Sequence, residues 1–156
     1  LYTVTDWLGL VPVAFGFGFA ILGLVQWIRR KKIGNVDRDI LVLGGFYLLV
    51  LATYLLFEKV VINYRPVLIN DFLEASYPSS TTMLVLCVMP TAMLQIRARF
   101  KKCLLLQILL AAFTGFMVVA RLISGVHWFS DIIGGILLSA GIVLTYYSII
   151  NRKIDL

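Results

Sequence analysis

The sequence predicts an all-α, polytopic bundle of membrane helices. Of its 156 residues, 61% are hydrophobic and 14% are charged, and the mean hydropathy is +0.97. A soluble domain is nearer about half apolar and about a quarter charged. The apolar residues form long uncharged runs, which is typical of membrane spans, and no run alternates at a period of two as in a membrane β-barrel. We therefore expect residues 1–156 to form a single transmembrane domain.

Five apolar runs predict five spans. The first carries no charge and is long enough, at about 1.5 Å per residue, to cross roughly 30 Å of hydrocarbon. Only the last run contains an acid, Asp131. The chain begins with Leu1 and not with Met, so a further span before it would give six. The five runs cover about residues 8–28, 40–57, 79–96, 103–120 and 128–150.

The basic residues orient the predicted bundle. Most of the 14 lysines and arginines fall where five crossings place them on one side of the membrane. By the positive-inside rule that side is cytoplasmic and includes the C-terminus, whereas the start of the chain is outside. The net charge of +6 therefore reflects orientation and not a nucleic-acid partner. The cytoplasmic set is Arg29, Arg30, Lys31, Lys32, Arg38, Arg97, Arg99, Lys101, Lys102, Arg152 and Lys153.

The outer connection between spans two and three is a candidate site. About residues 58–77 are long for a connection in a compact bundle, and they include Lys59 and Arg65. They lead into Tyr77-Pro78-Ser79-Ser80-Thr81-Thr82. A proline followed by hydroxyl residues, which can cap free N–H groups, is typical of a helix start. Because a helix N-terminus attracts anions, we expect an anion site near Ser79 and Ser80.

The connection between spans four and five holds the only histidine, His127, four residues before Asp131. If span five is already helical there, the two side chains share one face. The carboxylate can then accept the Nδ1 proton, which leaves Nε2 unprotonated, as a nucleophile requires. Arg121 can supply a forked donor for phosphate oxygens. These parts suit phosphoryl transfer through a phosphohistidine.

Each feature alone also has a plainer interpretation. A histidine at a span boundary is often structural, an aspartate there can cap the helix, and lysines or arginines can extend to lipid headgroups. The hydroxyl run can be an ordinary cap. Gly134, Gly135 and Gly141 are interpreted as sites of close helix packing, and Cys87 and Cys103 as buried thiols without a metal. The functional hypothesis therefore depends on the combination.

The third outer segment resembles a motif of the type 2 phosphatidic acid phosphatase family of integral-membrane lipid phosphatases. That family shows Arg-x5-His-x3-Asp, which this chain has in full as Arg121, His127 and Asp131. Ala120 stands where the family usually has a serine. The resemblance extends over about residues 40–150 and includes the order and the side of the three motifs.

The other two family motifs are met in part. The first, a lysine and an Arg-Pro pair, corresponds to Lys59 and Arg65-Pro66, which lie one residue closer together than in the family. The second, Pro-Ser-Gly-His, corresponds to Pro78-Ser79-Ser80-Thr81. Serine therefore replaces the glycine of this motif, and threonine replaces its histidine.

The resemblance implies a metal-free hydrolase without a cofactor. His127 would be the nucleophile and Asp131 its orienting partner, while Thr81 stands where the family's histidine protonates the leaving group. Loss of a general acid typically costs about 10²–10⁴-fold, and less when the leaving group is itself a phosphate. A prenyl diphosphate is thus favoured over a phospholipid monoester. The phosphate would be held by Lys59, Arg65, Ser79, Ser80 and Arg121.

We therefore predict a multi-pass enzyme of the cell membrane with its active site on the extracytoplasmic side. Two other classes are also consistent with the sequence. A phosphatase-like protein that binds a lipid phosphate without turnover is indicated by Thr81. A small transporter would predict polar residues at mid-membrane depth, of which spans one, two and four have almost none. No feature of the sequence predicts an oligomeric state.

Overall fold

The fold is a bundle of α-helices in a computed structural model that describes residues 1–69, 71 and 73–152. Within these residues there is no β-sheet, and an isolated antiparallel bridge joins Tyr64 and Ala75. The prediction of an all-α membrane bundle is confirmed. The helices are α1 (Tyr2–Leu8), α2 (Leu10–Arg30), α3 (Arg38–Lys59), α4 (Ser80–Arg99), α5 (Leu104–Ile123) and α6 (Phe129–Asn151), with a 3₁₀ turn at Ile33–Asn35.

Five helical segments are long and apolar enough to cross a membrane. The first combines α1 and α2 over Tyr2–Arg30, and the other four are α3 to α6. Each predicted apolar run overlaps one of these segments, although the helices continue by up to three residues beyond the runs. Lys153, counted among the cytoplasmic charges, lies outside the described residues. The chain is thus a multi-pass membrane protein.

Helix α4 is the centre of the bundle and contacts α2, α3, α5 and α6. Its mean hydropathy of 1.4 is the lowest of the five segments, yet half of its span is buried, against at most 28% in the others. Its polar side chains explain both facts, because Thr82, Thr91 and Gln95 face protein and not lipid. Gln95, for example, donates to the Tyr146 hydroxyl on α6 (2.6 Å).

Two apolar clusters fix α4 against its neighbours. The first joins α3, α4 and α6, and the second joins α4 to α5. Cys87 lies in the first cluster and is buried as expected, whereas Cys103 is only half-buried because it precedes α5 at the end of the bundle. The clusters are Leu43, Phe46, Val50, Met83, Cys87 and Tyr146, and Val85, Val88, Met89, Ile96, Leu110 and Met117.

Two of the three predicted packing glycines on α6 are confirmed. A side chain at Gly134 would collide with the ring of Tyr77, and a Cβ at Gly135 would lie 3.3 Å from Thr82 Cγ2. At Gly141 the prediction is wrong, since nothing lies within 4 Å of the corresponding Cβ position. The close approach at Gly134 and Gly135 brings the segment before α4 against the start of α6, and this contact positions the site.

Candidate active site

The candidate site lies where α3 and α5 end and where α4 and α6 begin, which we call the site end of the bundle. The connection between α3 and α4 folds back on itself there. Ser76 N donates to Asn63 O (2.8 Å), and Arg65 N donates to Glu74 O (3.1 Å). Trp128 Nε1 also donates to Tyr64 O (2.8 Å). This pairing places Arg65 and Ser76 beside the segment that carries His127.

The imidazole of His127 is 1% exposed and is held through Nδ1. This atom lies 3.1 Å from the carbonyl oxygen of Ser76 and 3.1 Å from its hydroxyl. Because a carbonyl oxygen only accepts hydrogen bonds, Nδ1 carries the proton in this arrangement. Nε2 is then the nitrogen with the free electron pair, and it is buried without a hydrogen-bond partner. The site therefore holds a neutral, oriented imidazole.

Asp131 orients His127 less directly than the spacing predicted. Its Oδ2 is 3.7 Å from His127 Nδ1, which is longer than a hydrogen bond. The Ser76 hydroxyl lies between the two side chains and donates to Asp131 Oδ2. The reason is that α6 begins only at Phe129, so His127 precedes the helix. Asp131 instead caps that helix by accepting from Trp128 N (2.8 Å).

The pKa of His127 is lowered from its usual 6.5 to about 4. Burial is the largest cause, since it disfavours the charged ring. The positive charges of Arg65 and Arg121 lower the pKa further, and the opposing effect of Asp131 is smaller. The imidazole is therefore neutral near pH 7, which is the form that a nucleophile needs.

Arg121 is 2% exposed and lies in the last turn of α5. Its Nη2 donates to Thr81 Oγ1 (2.6 Å), and its Nη1 donates to Thr5 Oγ1 (3.1 Å). Asp6 Oδ1 is 3.4 Å from Nη2, and the guanidinium lies over the ring of Tyr2 at 4.9 Å. Nε is left buried without a partner.

Three of the Arg121 partners lie on α1, which was not predicted as an element. This short helix precedes the first apolar run and has its own polar residues, so hydropathy gave no signal for it. Ser76 was also missed, because it carries no motif and meets His127 only through the fold. Thr82 was seen as part of a helix cap and not as a separate site residue.

The hydroxyl residues before α4 do not cap it through their side chains as expected. Ser79 is fully buried, and its Oγ has no partner, while its backbone N donates to Asp131 O (3.1 Å). Thr82 Oγ1 is also buried without a partner. The tie to Asp131 draws the start of α4 towards α6, so the hydroxyls point into the bundle instead of back to the free N–H groups.

In the described part of the chain, the buried side-chain atoms that lack a hydrogen-bond partner are clustered in one region. All of them belong to residues of the site end. In native proteins such atoms are rare, and each indicates a role or an absent ligand. Most are hydrogen-bond donors, so the set suits an oxyanion. These atoms are Arg65 Nε and Nη1, Ser79 Oγ, Thr82 Oγ1, Arg121 Nε and His127 Nε2. Arg65 Nε lies 3.2 Å from Glu74 Oε2, so it forms an ion pair although the geometry is not that of a hydrogen bond.

Two of these residues, Arg65 and His127, line a cavity of about 100 Å³, whereas Ser79, Thr82 and Arg121 do not. Ser80, Tyr77, Glu58 and Glu74 also line it. Lys59 is not brought to the cavity, since its side chain is exposed at the end of α3 and is absent from the lining. Thr81 is directed to Arg121 instead. In the residues that the structure describes, no cluster of His, Cys, Asp and Glu could hold a metal ion.

A family model, the PAP2 superfamily, matches residues 45–155 of the chain. The chain belongs to the PAP2 superfamily. This match confirms the family indicated by the three motifs and identifies the chain as a membrane phosphatase-type hydrolase. The candidate residues from Lys59 to Asp131 all lie within the matched range.

The fold of this PAP2 protein is similar to a solved structure, the first transmembrane PAP2 type phosphatidylglycerolphosphate phosphatase from Bacillus subtilis. The TM-score is 0.58 at 18% sequence identity, and the alignment covers 96% of this chain and 80% of the other. At this identity the likeness concerns the fold. A search of curated proteins gave no match.

Proposed function

We propose that this PAP2 protein is a lipid phosphate or diphosphate phosphatase that works through a phosphohistidine at His127. The observation that carries the proposal is the set of buried polar atoms without a hydrogen-bond partner at the site end, of which those of Arg65 and His127 belong to residues that line the cavity. It combines a nucleophilic nitrogen, two guanidinium groups and two hydroxyls. A tetrahedral phosphoryl group offers the acceptors that these donors lack and the electrophile that the nitrogen requires.

In the proposed first step, the free electron pair of His127 Nε2 attacks phosphorus. A P–N bond forms and the P–O bond to the leaving group breaks, with the electron pair staying on the leaving oxygen. Arg65 and Arg121 stabilise the charge that spreads over the phosphoryl oxygens, together with the hydroxyls of Ser79 and Thr82. Ser80, at the first turn of α4, contributes its backbone N–H.

In the second step, water attacks phosphorus and the P–N bond breaks, which returns the electron pair to Nε2, while both hydrogens of the water leave with the phosphate as H₂PO₄⁻. Throughout the cycle the Nδ1 proton stays bonded to the Ser76 carbonyl. While the ring is phosphorylated it is cationic, and the Asp131 carboxylate, linked through the Ser76 hydroxyl, compensates that charge. Asp131 is therefore a positioning residue and His127 the catalytic one.

Diphosphate lipids fit this site better than monoesters. The Thr81 hydroxyl accepts a hydrogen bond from Arg121, and a hydroxyl is no acid near neutral pH. A diphosphate releases a phosphate, which needs no proton, whereas a monoester releases an alkoxide. We accordingly propose a polyprenyl diphosphate as the substrate. The basic loops at the opposite end of the bundle support an extracytoplasmic site.

The test is phosphate release by the detergent-purified protein from a prenyl diphosphate, a prenyl monophosphate and phosphatidate. We expect the diphosphate to be hydrolysed fastest and His127→Ala to abolish release. Ser139→Ala is the matched control, since Ser139 is a buried serine of α6 that does not line the cavity and bonds a backbone oxygen, Met83 O. Faster release from phosphatidate than from the diphosphate would contradict the substrate assignment, and full activity of His127→Ala would contradict the mechanism.

A phosphate-binding protein without turnover is the second candidate, and the engaged Thr81 hydroxyl favours it. Such a protein would bind inorganic phosphate but release none from any lipid. Thr81→His distinguishes the two, because it restores the family's acid. Phosphate release that appears only in Thr81→His would identify the wild-type chain as the binding protein.

A further inference from the structure

We propose that helix α1 is part of the active site, in which Thr5 and Asp6 position the guanidinium of Arg121 for phosphate. The inference rests on the proposed function but concerns residues outside the family-matched range of 45–155. It makes Thr5 and Asp6 positioning residues, since they act through their contacts with Arg121, and none of the three lines the cavity.

The Thr5 hydroxyl accepts a hydrogen bond from Arg121. Thr5 is fully buried, and its hydroxyl donates to the carbonyl oxygen of Tyr2 one turn earlier (2.8 Å). With the hydroxyl proton fixed there, the oxygen lone pairs face Arg121 Nη1 at 3.1 Å. A threonine inside a helix usually meets only its own backbone, so this second contact is specific to the guanidinium.

The other partners complete a set around the same group. Asp6 brings a carboxylate to Nη2 (3.4 Å), and the Tyr2 ring lies against the guanidinium face. Thr81 supplies a further acceptor from α4 (2.6 Å). A buried cation needs such partners to offset the loss of water. Together they use the two Nη atoms and leave Nε, which has no partner, as the donor for phosphate.

Asp6 differs from Thr5 in exposure, since the Asp6 side chain is 58% exposed whereas Thr5 is fully buried. The attraction of Asp6 for Arg121 is therefore screened by solvent, and we expect Asp6 to contribute less than Thr5 to the positioning of the guanidinium.

Thr81 also positions Arg121, by accepting a hydrogen bond from its guanidinium. The residue that replaces the family's histidine acts in this chain by holding Arg121.

The test compares Thr5→Val with Thr5→Ser. Valine keeps the shape and removes the acceptor, so we expect a roughly 10- to 100-fold loss of kcat/KM, the typical range for a hydrogen bond to a charged group. Serine should restore activity to within about threefold, because it keeps the hydroxyl. Asp6→Asn should cost less than Thr5→Val.

Thr91→Val is the matched control. Thr91 is fully buried on α4, and its hydroxyl also donates to a carbonyl one turn earlier, that of Cys87 (2.8 Å). Its second neighbour is the Tyr47 hydroxyl, away from the site. We expect Thr91→Val to leave kcat/KM unchanged. Equal losses in Thr5→Val and Thr91→Val, or no recovery in Thr5→Ser, would overturn the proposal.

A double-mutant cycle separates positioning from a purely structural role. If Thr5 acts through Arg121, Thr5→Val has no further effect on kcat/KM in an Arg121→Ala background. The same loss in both backgrounds would mean that Thr5 only stabilises the docking of α1, and would overturn the proposal.

A second readout keeps this inference distinct from the proposed function. The dissociation constant for inorganic phosphate is measured by calorimetry for the wild type, Thr5→Val and Thr5→Ser. We expect weaker binding in Thr5→Val and recovery in Thr5→Ser even if no lipid is hydrolysed. A wild type without phosphate release would refute the enzyme, while unchanged phosphate binding in Thr5→Val would refute the positioning.

Discussion

At the scale of residues, the chemistry depends on which nitrogen of His127 carries the proton. The Ser76 carbonyl fixes the proton on Nδ1, since it can only accept, and this leaves the electron pair of the buried Nε2 free. Burial and two arginines keep the ring neutral. One backbone carbonyl and the surrounding charges thus set both the tautomer and the charge of the proposed nucleophile.

The first prediction concerns the pKa of His127. Because the chain has one histidine, ¹⁵N NMR of histidine-labelled protein, purified without a histidine tag, reports this ring alone. We expect the Nδ1–H tautomer and a titration near pH 4. The unfolded chain, with its ordinary pKa, binds the proton more readily, so the contribution of His127 to stability is lost as pH falls from 6.5 towards 4. A titration near 6.5 in the folded protein would contradict this environment.

The second prediction tests the link between His127 and Asp131. Ser76→Ala keeps the backbone carbonyl and removes the hydroxyl that bonds Asp131. We expect kcat/KM to fall about tenfold, which corresponds to about 1.4 kcal/mol of lost stabilisation of the phosphorylated ring. Asp131→Asn should cost more, because it also removes the charge. A Ser76→Ala protein as active as Ser139→Ala would show that the serine link is not used.

The spacing of Arg121, His127 and Asp131 could be read from the sequence because it is local. Ser76 could not, since it lies 51 residues from His127 along the chain and reaches it only when the connection before α4 pairs with itself. The same holds for Thr5, which is 116 residues from Arg121. Local spacing thus indicated the groups that we propose react, and the fold showed which residues contact them.

At the scale of elements, the site depends on how closely the start of α6 approaches the segment before α4. Gly134 permits this approach because the Tyr77 ring occupies the space of its side chain. Ser79 N and Asp131 O then bond across the gap (3.1 Å). The packing of these two elements therefore sets the distance between the hydroxyls before α4 and the imidazole before α6.

The third prediction follows from this packing. Gly134→Ala forces Tyr77 and the start of α4 away from α6, and overpacking of this kind costs about 1–3 kcal/mol. We expect a lower melting temperature and a loss of activity. Gly141→Ala, on the same helix, meets open space and should be neutral or more stable by up to about 1 kcal/mol, because alanine favours helix. Equal melting temperatures of the two variants would contradict the close contact between Gly134 and the Tyr77 ring.

The helices themselves were predictable to a large extent. Long apolar runs require helices in a bilayer, since every backbone group must be bonded within the segment. Helix α1 was not predictable in this way, because Thr5 and Asp6 make it polar and it ends beside Gly9. The role that we propose for α1 depends on its contacts with Arg121 of α5, and the sequence of residues 2–8 alone does not indicate these contacts.

At the scale of the whole molecule, the basic loops and the candidate active site lie at opposite ends of the bundle. Arg30 pairs with Asp37 (2.7 Å) and Arg99 with Asp39 (2.9 Å) at the end opposite the site. His127, Arg65 and Arg121 lie at the site end. If basic loops are cytoplasmic, the reaction takes place on the external side of the membrane.

The fourth prediction tests this orientation. In a background without Cys87 and Cys103, single cysteines are placed at two exposed positions, Asp71 near the site and Lys32 at the other end. We expect a membrane-impermeant maleimide to label Asp71→Cys in intact cells and Lys32→Cys only after permeabilisation. The reverse labelling pattern would place the site in the cytoplasm.

The central claim is that His127 becomes phosphorylated, and trapping the intermediate tests it most directly. The purified protein is mixed with a prenyl diphosphate labelled in its terminal phosphate, quenched rapidly and analysed for label on the protein. We expect an acid-labile, base-stable phosphoryl group in the wild type and in Ser139→Ala, and none in His127→Ala. Phosphate release by the wild type without label on the protein, or with label in His127→Ala, would contradict the account.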